Sequence, residues 1–175
     1  MRVLRVLSKL CLASQDYTVL DQETANKKGI ADISQVPERG RILAIDPGTK
    51  RIGIAICDEL RVTTRPLPRI DRTSWKKLLS NIQTVIAEFD AVAVVVGLPL
   101  ESDGSDGPMT VEARDIARKL ALSLEIPVFL QDERVSSYEA KGRLWSVGKS
   151  LQESRELVDS EAAAIILEDF LSRRA

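Results

Sequence analysis

At 175 residues, 44% of them hydrophobic, the chain is long enough to bury one real core and sits in the single-domain range. Lys plus Arg number 25 against 26 Asp plus Glu, a formal net charge of -1, so bulk charge does not announce a nucleic-acid partner and any such role must come from local patches. Histidine is absent, which excludes Ser-His-Asp triads, Cys-His dyads, histidine general bases and histidine zinc sites, while the two cysteines, Cys11 and Cys57, suggest neither a zinc site nor a disulfide framework and fit a reducing compartment.

Residues 1–39 show no sustained periodicity and end in polar and turn-forming residues, so they are read as a flexible extension ahead of a domain spanning 40–175. The opening MRVLRVLSKLCLA is basic and apolar, but its apolar stretch is too short for a signal-peptide core. No window approaches the roughly twenty apolar residues of a membrane span. The expectation is a cytoplasmic protein without a membrane segment.

From residue 42 to 45 the pattern is a short apolar strand that stops at Pro47-Gly48, and 51–57 alternates as a second strand through Ile52, Ile54 and Ile56. The Pro-Gly between them predicts a hairpin. Cys57 closes the second strand as a small core residue. Residues 62–70 form a third extended segment in which Pro66 and Pro68 fit a sheet edge. Thr73 or Ser74 caps a helix to about residue 89 with Trp75, Leu78, Leu79, Ile82, Val85, Ile86 and Phe89 at helical spacing. AVAVVVGLP is continuously apolar, as in a parallel strand buried on both faces. A helix over 109–125 and a strand over 127–131 follow. Ser136-Ser137-Tyr138-Glu139 matches a capping box and starts a helix to about residue 147; 148–155 is polar and read as mobile; a last helix runs from about 158 to 172. The order predicts an α/β fold: an antiparallel three-stranded region, then parallel crossover units.

In open α/β sheets, sites gather at the carboxyl ends of the parallel strands. Three acidic places fall there: Asp46 after the first strand, Asp132-Glu133 after the fifth, and Asp159 at the last helix. Asp159 shares a stripe with Ala162, Ala163, Ile166 and Phe170, so this carboxylate lies on the buried side of its helix. The helix dipole alone could favour an acid there, just as Asp-Pro-Gly alone makes a good turn at Asp46 and Asp132-Glu133-Arg134 alone makes a surface ion pair. The company of Asp46 points further. Amides at Gly48 and Thr49, the Thr49 hydroxyl, and the cations Lys50 and Arg51 suit phosphate and a hard cation. Carboxylates converging without histidine are the composition of a Mg2+ or Mn2+ site, and phosphodiester hydrolysis follows from it. Residues 41–80 carry nine Lys or Arg against four acids, a local net charge of +5.

Four blocks, RILAIDPGTKRIGIAI, VVVGLPLESDG, VFLQDERVSS and VDSEAAAIILEDFL, occur in order from residue 41 to the C-terminus. Together they resemble the YqgF (RuvX-like) family, whose members are described as Holliday-junction-resolvase-like and as candidate pre-16S ribosomal RNA nucleases. The resemblance implies an RNase H-like fold with a mixed five-stranded sheet and Mg2+- or Mn2+-dependent cleavage of structured nucleic acid in maturing the 5′ end of small-subunit ribosomal RNA. It also implies Asp46, the acid of the Asp132-Glu133-Arg134 block and Asp159 as metal ligands; within the block Glu133 is preferred, with Asp132 left open. Arg51 and Arg134 are expected phosphate contacts, with Gly97 small enough to let a strand approach. The carboxylate that many RNase H-like resolvases place after the fourth strand is replaced by Gly97-Leu98-Pro99, which shifts the burden onto the Asp132-Glu133-Arg134 block.

Branched DNA as substrate, a homodimeric active form and a non-catalytic RNA- or protein-binding module stay open. Asp-x-Gly-Thr also resembles the phosphate motif of the actin and sugar-kinase fold, but that architecture needs two such domains. An aromatic content of 4% leaves little for base stacking, and Trp75 and Trp145 suit core or dimer packing.

Overall fold

The computed structural model describes residues 29–101, 103–132 and 151–173, with backbone alone for 151–159. Among these, β-branched and apolar runs build five strands: β1 Arg41–Pro47, β2 Arg51–Cys57, β3 Thr64–Asp71, β4 Ala91–Leu98 and β5 Val128–Asp132. They form one sheet in the order β3-β2-β1-β4-β5. β2 is antiparallel to both β1 and β3, whereas β4 is parallel to both β1 and β5. Continuous apolarity in β4 is explained by its place: it has a strand on each side and helices on each face. The two prolines of β3 sit on the outer edge, where a missing N–H breaks no ladder.

Three helices complete the described fold: α1 Trp75–Phe89, α2 Pro108–Ser123 and α3 Leu151–Ser172. The Ser74 hydroxyl accepts a bond from the Lys77 N–H at 3.3 Å and caps α1. The first turn of α1 contains Lys76 and Lys77 and no acid, an arrangement the helix dipole disfavours by about 0.3–1 kcal/mol per cation. Pro108 opens α2 with its φ already helical, and the Thr110 hydroxyl bridges the Gly107 N–H and the Pro99 carbonyl.

Alternation along the strands sorts the core into two layers. Leu43, Ile45, Ile54, Val94 and Val96 pack with Leu78 and Ile82 of α1 and Ile116 and Leu120 of α2. Ile42, Ala44, Ala55, Ala93, Val95 and Phe129 pack with Ala163, Ala164, Leu167 and Phe170 of α3. Cys57 belongs to the second layer and accepts a bond from the Ile42 N–H at 3.1 Å. Trp75 packs against the first layer.

Several boundaries depart from the sequence reading. β1 runs through Asp46 and Pro47 because Pro47 still pairs with Ile52. The last helix begins at Leu151, within the segment read as polar and mobile; Leu, Gln, Glu and Arg are all good helix formers, so low hydrophobicity there marks a polar helix, not a loop. The helix expected over 136–147, with Trp145, lies outside the described residues, as does Cys11. Of the extension, residues 29–39 are described and pack on the domain: the Ala31 N–H donates to the Val128 carbonyl at 2.8 Å, Asp32 caps a short turn at Ile33–Gln35, and Val36 is buried. Among the described residues no helix is long and apolar enough to cross a membrane.

The α3 layer is built on alanines, with Ala44, Ala55, Ala93 and Ala163 all 0% exposed. An enlarged side chain there cannot be absorbed, so Ala163→Leu is expected to cost about 1–3 kcal/mol in urea unfolding. A loss below about 0.5 kcal/mol, within the usual range for surface substitutions, would show that α3 does not approach the sheet this closely.

Candidate active site

Asp46 is positioned by backbone, not by a loop. Ile42 and Ala44 face α3 while Leu43 and Ile45 face α1 and α2, so the alternation puts Asp46 on the α3 face at the carboxyl end of β1. Across the ladder it is paired with Gly53 of β2. On the other side Ile45 pairs with Val96, and the next residue of β4 is Gly97, itself paired with Gln131 of β5. Glycine inside a strand is the signature of a close approach by a ligand or another backbone, and here two glycines flank one half-buried carboxylate. The row ends in Gln131, a buried polar residue whose Nε2 donates to the Asp132 carbonyl at 3.2 Å. Gly53 was not singled out from the sequence; its signal is that it breaks the Ile52, Ile54, Ile56 run.

The chain reverses over Gly48, Thr49, Lys50 and Arg51, the last three exposed. A Cβ on Gly48 would collide with the Arg51 carbonyl, so the turn tolerates only glycine there. One residue, Arg72, braces it from outside through both backbone and side chain. The Arg72 N–H donates to the Lys50 carbonyl at 3.0 Å and Arg72 Nη1 to the Gly48 carbonyl at 3.3 Å, while Nη2 lies 2.5 Å from Glu112 Oε1 on α2. Both brace residues escaped the sequence reading, because nothing local links positions so far apart in the chain.

The path of α3 brings a second predicted residue to the same end. The Thr64 hydroxyl donates to Glu168 Oε1 at 2.8 Å, and Thr64 pairs with Cys57, which lies beside Ile42. The C-terminal part of α3 therefore rests at the amino end of β1. Position 159 lies nine residues back along α3, about 13 Å at 1.5 Å per residue. Asp46 lies four residues up β1 from Ile42, also about 13 Å at 3.3 Å per residue. The backbone at Asp159 therefore lies further toward the carboxyl end of the parallel strands, the end that carries Asp46. Its neighbour Ser160 is 1% exposed, and Ser160 Oγ has no hydrogen-bond partner among the described residues.

Asp132 ends β5 with the parity of Val128 and Leu130, which belong to the α1 and α2 layer, so it lies on the face opposite Asp46. Glu133 and Arg134 lie outside the described residues. Among the described residues, no three histidine, cysteine or acidic side chains group to hold a metal. Cys57 is no nucleophile: burial pushes its thiol above the ordinary range, and its sulfur already accepts a backbone bond.

A sheet with this order, a carboxylate inside its central antiparallel-to-parallel junction and a long C-terminal helix across one face invites comparison with known proteins. The model of the family RuvX, described as Holliday junction resolvase, matches residues 40–173. The chain belongs to the RuvX family. It is 44% identical over 135 residues to a protein of Anaeromyxobacter sp. (strain K) that carries the provisional name pre-16S rRNA nuclease, covering 77% of this chain and 98% of that one. A relative of the same provisional name from Syntrophus aciditrophicus (strain SB) is 37% identical over 131 residues, covering 75% and 87%. Among solved structures, T. thermophilus RuvC in complex with Holliday junction substrate is similar with a TM-score of 0.50 at 17% identity, covering 77% of this chain and 96% of that one. At that identity the likeness speaks for the fold, which is RNase H-like.

For this RuvX chain the bracing of the turn is open to direct measurement. Arg72→Ala is expected to cost about 0.5–1 kcal/mol, since the Arg72–Glu112 pair is partly exposed, and to speed amide exchange across residues 48–51 well beyond that global loss. Gly48→Ala should cost about 1–3 kcal/mol through its clash with backbone. Unchanged exchange in Arg72→Ala would mean that the turn holds itself.

Proposed function

We propose that the chain is a metal-dependent nuclease that hydrolyses phosphodiester bonds in structured nucleic acid, acting in the cytoplasm on the 5′ end of pre-16S ribosomal RNA. The observation that carries this reading is the placement of Asp46 inside β1, between Gly53 of β2 and Gly97 of β4, on the face that α3 covers. Family membership and the provisional names of the relatives point the same way.

In this reading Asp46, Glu133 and Asp159 hold Mg2+ or Mn2+. The donors fit: they are hard oxygens without histidine, as those ions require. Asp132 becomes the less suitable member of its pair, because its parity sets it on the other face, which leaves the role to Glu133. Such ions, when bound, activate water and stabilise the departing oxygen. The chain's own contribution is position: the ladder fixes Asp46, the glycines leave space for a phosphodiester strand, and the Arg72 brace orients the amides of Gly48 and Thr49. Lys50, Arg51 and Arg134 neutralise phosphate charge, and the small Gly97 lets the strand come close.

A second reading, cleavage of branched DNA, follows from the description of the family as Holliday junction resolvase. One experiment addresses both. Wild type and Asp46→Asn are incubated with a precursor 16S ribosomal RNA fragment and with a four-way DNA junction, each with Mg2+ and with Mn2+. Wild type is expected to cleave the RNA with either ion, and Asp46→Asn to lose at least a hundredfold in rate while keeping its thermal unfolding midpoint. Full cleavage by the mutant would remove Asp46 from the chemistry, and cleavage of the junction alone would replace the RNA substrate by DNA.

A further inference from the structure

The exposed cations nearest the site are not arranged like those of α2. On α2, Arg114 pairs with Asp106, and Arg118 and Lys119 pair with Asp115. Lys50, Arg51, Lys76 and Lys77 take part in no ion pair among the described residues, and all four are exposed. Their placement is fixed by backbone. The Arg72 N–H bonds the Lys50 carbonyl, and the chain enters α1 three residues later, so the first turn of α1 stands beside the turn that follows Asp46. Asp71, facing Arg51 across the β2–β3 ladder, is the acid within this group. Lys76 and Lys77 occupy the end of α1 where the dipole disfavours cations and where no acid offsets them. Helix stability therefore gives no reason for either lysine.

We propose that Lys50, Arg51, Lys76 and Lys77 form a cationic shelf that carries the phosphodiester backbone of the nucleic-acid substrate away from Asp46 across the ends of β2 and β3 to the first turn of α1. This rests on the nuclease reading and adds to it the side on which the substrate lies. The partner is a polyanion with regularly spaced charge, which a run of unpaired cations reaching from a strand end to a helix fits better than any compact anion. An acidic protein surface would also be attracted, and it is the outcome the test must separate.

The measurement uses the full chain carrying Asp46→Asn, so that substrate survives. Binding of a fluorescein-labelled four-way DNA junction and of a precursor 16S RNA fragment is titrated from about 50 to 300 mM salt, with and without Lys76→Gln/Lys77→Gln. Each phosphate contact contributes roughly 0.7–0.9 to the slope of log affinity against log salt, so the double variant is expected to flatten the slope by roughly 1.4–1.8. Arg118→Gln, which removes a cation already paired with Asp115, is the control and should leave the slope in place. The thermal unfolding midpoint of the double variant should stay or rise, since two unfavourable charges leave the helix end.

An unchanged slope overturns the shelf, and so does an equal loss in Arg118→Gln, which would reflect net charge alone. The two readings fail separately. Wild type that cleaves while the double variant keeps its slope leaves a nuclease without this shelf; a flattened slope in a protein that cleaves nothing leaves the shelf on a binding module.

Discussion

The distance between α3 and the sheet governs the rest of the molecule. Ala44 and Ala55 face each other across β1 and β2, Ala93 on β4 lies beside Ile42, and Ala163 and Ala164 meet this layer from the helix. Side chains this small bring backbones together, whereas the C-terminal part of the helix carries Phe170, whose ring meets Phe129 of β5 with centroids 5.6 Å apart. The helix is thus held at one end by bulk and by the Thr64–Glu168 bond, and lies close over the other. Because it runs against the direction of β1, its N-terminal half arrives at the carboxyl end of the parallel strands. That is where an α/β sheet places its chemistry.

A carboxylate on a loop would need its own side-chain partners to stay oriented. The backbone of Asp46 takes its orientation from the ladder, with β2 on one side and β4 on the other, so that much of its order comes from hydrogen bonds that the fold makes anyway. The turn after it lacks that support, and Arg72 supplies it from the end of β3. By reaching Glu112 on α2, the same guanidinium ties the turn to the helix layer on the opposite face. Both faces of the sheet therefore converge on one short stretch of chain.

Much of the architecture was legible because its causes are local. Pro66 and Pro68 can stand only at an edge, and the uninterrupted apolarity of β4 requires cover on both faces; both inferences match the observed strand order. The start of α3 was not legible, since hydrophobic periodicity is blind to a helix made of polar helix formers. For the site, the candidate residues could be named from strand ends, but their mutual placement could not. Alternation alone leaves open on which face Asp132 lies, and only the packing of Val128 and Leu130 against α1 and α2 fixes it. Gly53, Arg72 and Glu112 carry no signature until register is known. Of these, Gly53 acquires meaning only from the carboxylate it faces.

The carboxyl end of β4 brings these features together. Where many resolvases of this fold carry a further carboxylate, this chain has Gly97 next to Asp46 and the uncharged Gln131 beyond it. A second acid in that row would add repulsion against Asp46 that any cation must offset; glycine provides room and no charge. In the proposed nuclease a centre with fewer carboxylates would attract phosphate-bound metal less strongly by itself, so more of the neutralisation would come from the rim. The excess of basic residues over 41–80, and those members of it on the 48–51 turn and the first turn of α1 that form no ion pair among the described residues, lie where that charge would be wanted. A sparse centre and a cationic margin are then two sides of one electrostatic arrangement, in which a chain of net charge -1 concentrates its positive charge where a phosphate backbone would meet it.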